Sequence, residues 1–175
     1  MRQAIYIITA FTAGLYFATC QVGYFIHMEF NLSSTFVSYY VVIGLWILGS
    51  LAGLFIKLRK LSPLLILGGL ATFFLHSFML HKFPYNMRML PLYMLFIFLS
   101  ALYSGYFFRW ATRDFKSVKS LFFHENNGFL CGYVIAVGEL LLHGQLSQYI
   151  LPPATAAVHL LLLFVSSRYQ SGKSL

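Results

Sequence analysis

A chain of 175 residues with 59% hydrophobic and only 9% charged side chains is too apolar for a soluble domain, in which about 25% of residues carry charge. Its mean hydropathy of +0.76 fits a polytopic membrane protein, and the length leaves room for one helical bundle without a soluble domain. The formal net charge of +8 does not mark a nucleic-acid binder. The lysines and arginines fall between apolar runs, where they set topology against anionic headgroups.

The first run, about 4–28, is long enough to cross the bilayer and lacks a small-x-small cleavage site, so it reads as an uncleaved anchor. Gly14 and Gln21 share one face of it, a pattern for close packing beside a polar contact. A short connection through Asn31, Leu32, Ser33 and Ser34 is expected to cap the second span, about 36–56. Within that span Gly49 and Gly53 form a GxxxG pair, which lets two helix backbones approach. The third span, about 62–81, places Gly68, Thr72 and His76 at four-residue spacing before a turn at Phe83-Pro84-Tyr85-Asn86. The fourth, about 89–108, is rich in aromatics and ends at Arg109 and Trp110.

Beyond it, over about 109–125, Trp110, Phe115, Val118 and Phe122 interleave with Arg113, Lys116 and Lys119. This pattern predicts an amphipathic helix lying on an anionic membrane surface. The fifth and sixth spans cover about 127–144 and 149–167. The sixth is expected to begin near Pro152 and Pro153 and to put Thr155 and His159 on one face. The fold class is therefore all-α, a bundle of six transmembrane helices.

Ten basic residues fall on one side of these spans: Arg2, Lys57, Arg59, Lys60, Arg109, Arg113, Lys116, Lys119, Arg168 and Lys173. Only Lys82 and Arg88 fall on the other. The positive-inside rule then predicts a multi-pass protein of the cell (inner) membrane with both termini cytoplasmic.

Two of the four acidic residues lie between Phe122 and His143. Seven- and eleven-residue steps place Glu125, Gly128, Gly132, Glu139 and His143 on one helical stripe, which is expected to face the bundle or a partner. Glu139 falls about 20 Å from the cytoplasmic edge, where a charge costs at least about 2.5–3.5 kcal/mol to insert. With His143 one turn away, it forms a pair able to exchange a proton, hold a cation, or fix packing by a buried hydrogen bond. Glu139, His143, Gln21 and Glu125 are thus the candidate intramembrane polar site. Gly49, Gly53, Gly128 and Gly132 are the candidate packing positions. His76, His143 and His159 are the candidate haem or metal ligands, with quinone as the other redox ligand. Cys20 and Cys131 lie in apolar runs without CxxC spacing, which argues against zinc or a disulfide. No nucleophile–base pair, phosphate loop or dinucleotide fingerprint is present, so an enzyme is not expected.

Four stretches together resemble the membrane domain of the spermidine synthase-like (fused major-facilitator/spermidine synthase) family. They are Thr12-Ala13-Gly14-Leu15 through Gln21-Val22, the Gly-Leu-x-x-Leu-Gly-Ser-x-x-Gly run ending at Gly53, Ser104-Gly105-Tyr106-Phe107-Phe108, and Phe122-x-x-Glu125-x-x-Gly128-x-x-x-Gly132. The resemblance implies a six-helix unit like half of a major-facilitator transporter, with both termini cytoplasmic. This chain carries Gln21 and His27 where the family has an acid and an arginine, and lacks the proline after its fourth-helix Gly-x-x-Phe pattern. The synthase domain has no counterpart here, so polyamine synthesis is not expected. Three readings stay open. One is a transport-type or accessory membrane subunit without a cofactor, acting as a homo-oligomer or beside another membrane subunit. Another is a redox subunit holding haem or quinone. The third is a scaffold that anchors a partner through its glycine faces.

Overall fold

A computed structural model describes residues 2–32, 35–58 and 60–171. The expected cap at Ser33 and Ser34, the charge at Arg59 and the tail from Gly172 onward lie outside the described residues. Six α-helices follow one another: α1 Arg2–Asn31, α2 Thr35–Leu54, α3 Ser62–Lys82, α4 Leu90–Ala111, α5 Val118–His143 and α6 Leu146–Ser171. A 3₁₀ turn, Met87–Met89, leads into α4. Proline in the first turn of α3 and α4 fixes φ where no intrahelical donor is needed. Ser117 caps α5 by accepting from the Ser120 amide at 3.2 Å, and Gly144, at φ 65°, turns the chain from α5 into α6.

Among the described residues, five helices are long and apolar enough to cross a membrane: Gln3–Asn31, Phe36–Leu54, Ser62–Lys82, Met87–Ala111 and Leu146–Ser167. Of the six expected spans, α5 alone falls short of these five in apolar character. It has 26 residues, ample length, but Lys119, Glu125, Asn126, Asn127 and Glu139 dilute its apolar character. The separate amphipathic helix over 109–125 is also not formed. Turns at Thr112–Asp114 and bends at Phe115 and Lys116 end α4, and the remainder of that stretch is the first two turns of α5. Helix α6 starts six residues before Pro152, so both prolines sit inside it rather than at its first turn. Neither proline can donate to the preceding turn. The carbonyl of Gln148, which Pro152 leaves without an amide, lies beside Gly23 of α1.

Helix α1 is the centre of the bundle. Ala10, Ala13, Tyr16, Phe17, Ala18, Cys20, Tyr24 and Met28 are all buried, so no broad face of it is left for lipid. Two seams of small residues hold neighbouring backbones together. A Cβ at Gly14 would overlap the Glu125 carbonyl, and one at Gly128 would overlap the Phe11 carbonyl, so α1 and α5 touch along a parallel seam. A Cβ at Gly49 or Gly53 would overlap the carbonyl of Phe98 or Leu102, and one at Gly105 that of Ser50, joining α2 to α4. Lipid tails are as apolar as leucine, so close van der Waals packing rather than the hydrophobic effect holds such helices together. The seams put Gly49, Gly53, Gly128 and Gly132 against this chain's own helices, which leaves these four faces no room for a partner.

One end of the bundle gathers the basic residues. There Arg109 Nη1 donates to Leu54 O at 2.6 Å, the Leu61 amide donates to Tyr106 Oη at 2.9 Å, and Arg113 lies 4.2 Å over the Trp110 ring. A cavity of about 520 Å³ at the same end is lined by Gln3, Tyr6, Arg113, Asp114, Lys116 and Ser120, among others. Lys82 and Arg88 lie at the opposite end, where the Tyr85 amide donates to Asn31 O at 2.7 Å.

Candidate functional site: a polar seam along the central helix

Polar side chains of α1 run the length of the bundle interior, each meeting a different neighbour. Nearest the basic end is His159 of α6, which is fully buried. Its Nδ1 lies 3.0 Å from Thr12 Oγ1 and its Nε2 2.7 Å from Tyr103 Oη. Thr12 Oγ1 also donates to Thr9 O at 3.1 Å, so it accepts from His159 Nδ1–H, and the Tyr103 hydroxyl donates to Nε2. Both ring nitrogens are satisfied. One turn further along α6, Thr155 and Thr19 bond hydroxyl to hydroxyl at 2.8 Å. Next, Tyr24 Oη donates to Ser100 Oγ at 2.9 Å, and Ser100 donates to the Gly69 carbonyl at 2.6 Å.

Toward the opposite end the character of the seam changes. His76 of α3 is fully buried, with its ring edge-on to Tyr24 at 4.7 Å and to Tyr93 of α4 at 5.4 Å. Neither of its nitrogens has a hydrogen-bond partner among the described residues. His27 of α1 lies 4.5 Å from the Tyr149 ring and meets Ser77, the residue after His76, at 2.6 Å through Nδ1. Ser77 donates its own proton to Phe73 O at 2.9 Å, so it accepts from His27 Nδ1–H. His27 Nε2 is then an unprotonated acceptor, and it too is unpartnered. Gln148 of α6, fully buried, donates to Ala136 O at 2.9 Å and to Ser147 Oγ at 3.1 Å, which fixes its amide orientation. Its Oε1 has no partner among the described residues, and neither does the Tyr93 hydroxyl.

The residues singled out from the sequence do not converge on one site. Glu139 and His143 do pair, Oε2 to Nδ1 at 2.5 Å, but with side chains 38% and 63% exposed. The predicted inward stripe therefore divides: Glu125, Gly128 and Gly132 are buried, while Glu139 and His143 lie beyond the tight contact with α1. This corrects the expectation that the pair faces the bundle interior; periodicity gives a direction, and the neighbour in that direction ends first. Glu125 is buried beside Gly14, fourteen residues and about 21 Å along α5 from Glu139. Gln21 is half-buried on α1. The three histidines named as possible ligands are also dispersed: His76 between Tyr24 and Tyr93 away from the basic end, His159 saturated by Thr12 and Tyr103, and His143 on the exposed end of α5. Among the described residues no group of three or more His, Cys, Asp or Glu side chains is placed to hold a metal ion.

The residues missed from the sequence are Tyr93, Gln148 and the pairing role of His27. Their only sequence signals are local: a histidine three residues after Tyr24, and a glutamine four residues before a proline inside a helix. No protein-family model, curated protein or solved structure matches the chain.

Proposed function

We propose that this chain is a transport-type or accessory membrane module, cytoplasmic at both termini and working as a dimer or with a second membrane subunit. The observation that carries the reading is the set of polar atoms on His27, His76, Tyr93 and Gln148 that are buried without a partner among the described residues, inside a bundle of membrane-spanning helices. Leaving a buried donor or acceptor unpaired costs about 1–3 kcal/mol per group. A scaffold that only anchors a partner gains nothing from that cost, because phenylalanine and leucine would pack these positions without it. A path for polar solute gains a row of binding groups along α1. A six-helix unit resembling half of a major-facilitator transporter completes such a path with a second copy or a partner.

The test is flux through liposomes carrying the purified full chain, read by stopped-flow light scattering with glycerol, urea and water as probes. The reading expects permeation faster than in protein-free liposomes and slowed by His76→Phe. Equal rates in all three preparations would remove the transport reading for this chain alone.

A further inference from the structure

The cavity at the basic end is built by two parts of the chain. Gln3 and Tyr6 enter it from the start of α1, Arg113 to Ser117 from the α4–α5 connection, and Ser120 from the first turn of α5. Its volume of about 520 Å³ falls within the range of small-molecule pockets, roughly 300–1,000 Å³. The Arg113 guanidinium lies 4.2 Å over the Trp110 ring, which holds its planar fork in place. Neither Arg113 nor Lys116 is in a salt bridge among the described residues. Ser117 Oγ accepts from the Ser120 amide at 3.2 Å, so its O–H proton is left to donate. Gln3 and Ser120 add an amide NH₂ and a second O–H. One carboxylate, Asp114, stands among these donors. Two cations and one carboxylate leave one net positive charge, and donors outnumber acceptors. The N-terminus of α5, which Ser117 caps, adds about half a positive charge.

We infer that this cavity binds a phosphate monoester, carried either by a phospholipid headgroup or by a free solute. The guanidinium fork matches two phosphate oxygens, Lys116 supplies a point charge, and the serine hydroxyls reach acceptor positions that the cations leave open. The volume exceeds what a phosphate alone fills, which leaves room for the organic part of the ester. The basic end of the bundle is also where anionic headgroups gather. This site lies apart from the buried seam along α1, and nothing in it depends on transport.

The experiment is thermal unfolding of the full chain in detergent, with ionic strength matched by chloride. The probes are glycerol 3-phosphate and dioctanoyl phosphatidate, with dioctanoyl phosphatidylcholine as the control. At a hundredfold excess over Kd, a ligand of the folded state should raise Tm by about 5–11 °C. A shift with glycerol 3-phosphate assigns a soluble phosphate ester, and a shift with phosphatidate alone assigns a headgroup. Arg113→Gln combined with Lys116→Gln should abolish the shift, and Asp114→Asn should enlarge it. All three side chains are exposed on the connection, and the midpoint without ligand checks that each variant folds. No shift with either phosphate would overturn the site, as would an equal shift with phosphatidylcholine. A shift that persists in the double variant, or shrinks with Asp114→Asn, would overturn it as well.

Discussion

Gly128 is the most sensitive test of how α1 is held. A Cβ added there would meet the Phe11 carbonyl oxygen head-on, and would lie 2.7 Å from Phe11 C and 2.9 Å from Phe11 Cα. All three are backbone atoms, so no rotamer change relieves the overlap; α1 and α5 must separate. Overpacking of this kind costs about 1–3 kcal/mol. At Gly132 the same methyl would meet Leu15 O at 2.8 Å and Ala18 Cβ at 3.0 Å, a milder clash. At Gly138, on the same helix, nothing lies within 4 Å. There alanine removes only the glycine penalty in a helix, a gain of about 0.5–1 kcal/mol. The account thus orders the variants by stability as Gly138→Ala, then Gly132→Ala, then Gly128→Ala. At about 2–4 °C per kcal/mol for a chain of this size, Gly128→Ala should lower Tm by about 2–12 °C. Thermal unfolding of the three purified variants in one detergent, followed by tryptophan fluorescence, measures this. Equal midpoints for Gly128→Ala and Gly138→Ala would refute the close α1–α5 seam.

The two buried histidines should respond in opposite ways to phenylalanine. His159→Phe strands the Tyr103 hydroxyl and should cost about 1–3 kcal/mol, whereas His76→Phe removes two unpartnered nitrogens and should leave stability level or raised; the same melting assay separates them. Glu139→Gln should change stability by less than about 1 kcal/mol, because its pair with His143 is not covered by any neighbouring helix at the end of α5; a larger loss in a detergent melt would mean that the pair is covered in the working assembly. Reporter fusions should place residues 57–60 and 112–117 in the cytoplasm and residues 83–86 outside, following the basic end of the bundle; the reverse pattern would overturn the orientation.

Much of the fold is legible in the chain because bilayer thickness dictates it: long apolar runs, prolines at the starts of α3 and α4, and basic residues segregated to alternate connections. The glycines of α2 and α5 announce close packing, but their partners, α4 and α1, are fixed only by the three-dimensional arrangement. Helix α5 was harder to read because two asparagines and a glutamate follow its first turn, blurring the border between loop and span. The buried polar groups without a partner among the described residues, His27, His76, Tyr93 and Gln148, were not legible at all. They lie on four helices separated by up to 121 positions, from His27 to Gln148, and each looks alone like an ordinary core or interface residue. Glu139 misled for the complementary reason: a charge on an apolar helix stands out in sequence, yet it lies where the neighbouring helix no longer covers it.

The central claim is that polar solvent reaches the seam along α1 while the outer helix faces see only lipid. The direct measurement is cysteine accessibility in membranes, on a chain carrying Cys20→Ala and Cys131→Ala. Thr155→Cys sits on the seam beside Thr19, and Leu161→Cys, on the same helix, is exposed on the outside of the bundle. A thiol must ionise to react, which hydrocarbon suppresses and water permits. The account predicts that a membrane-impermeant thiosulfonate labels Thr155→Cys and spares Leu161→Cys. An unlabelled Thr155→Cys, in a variant that melts like the parent, would contradict it.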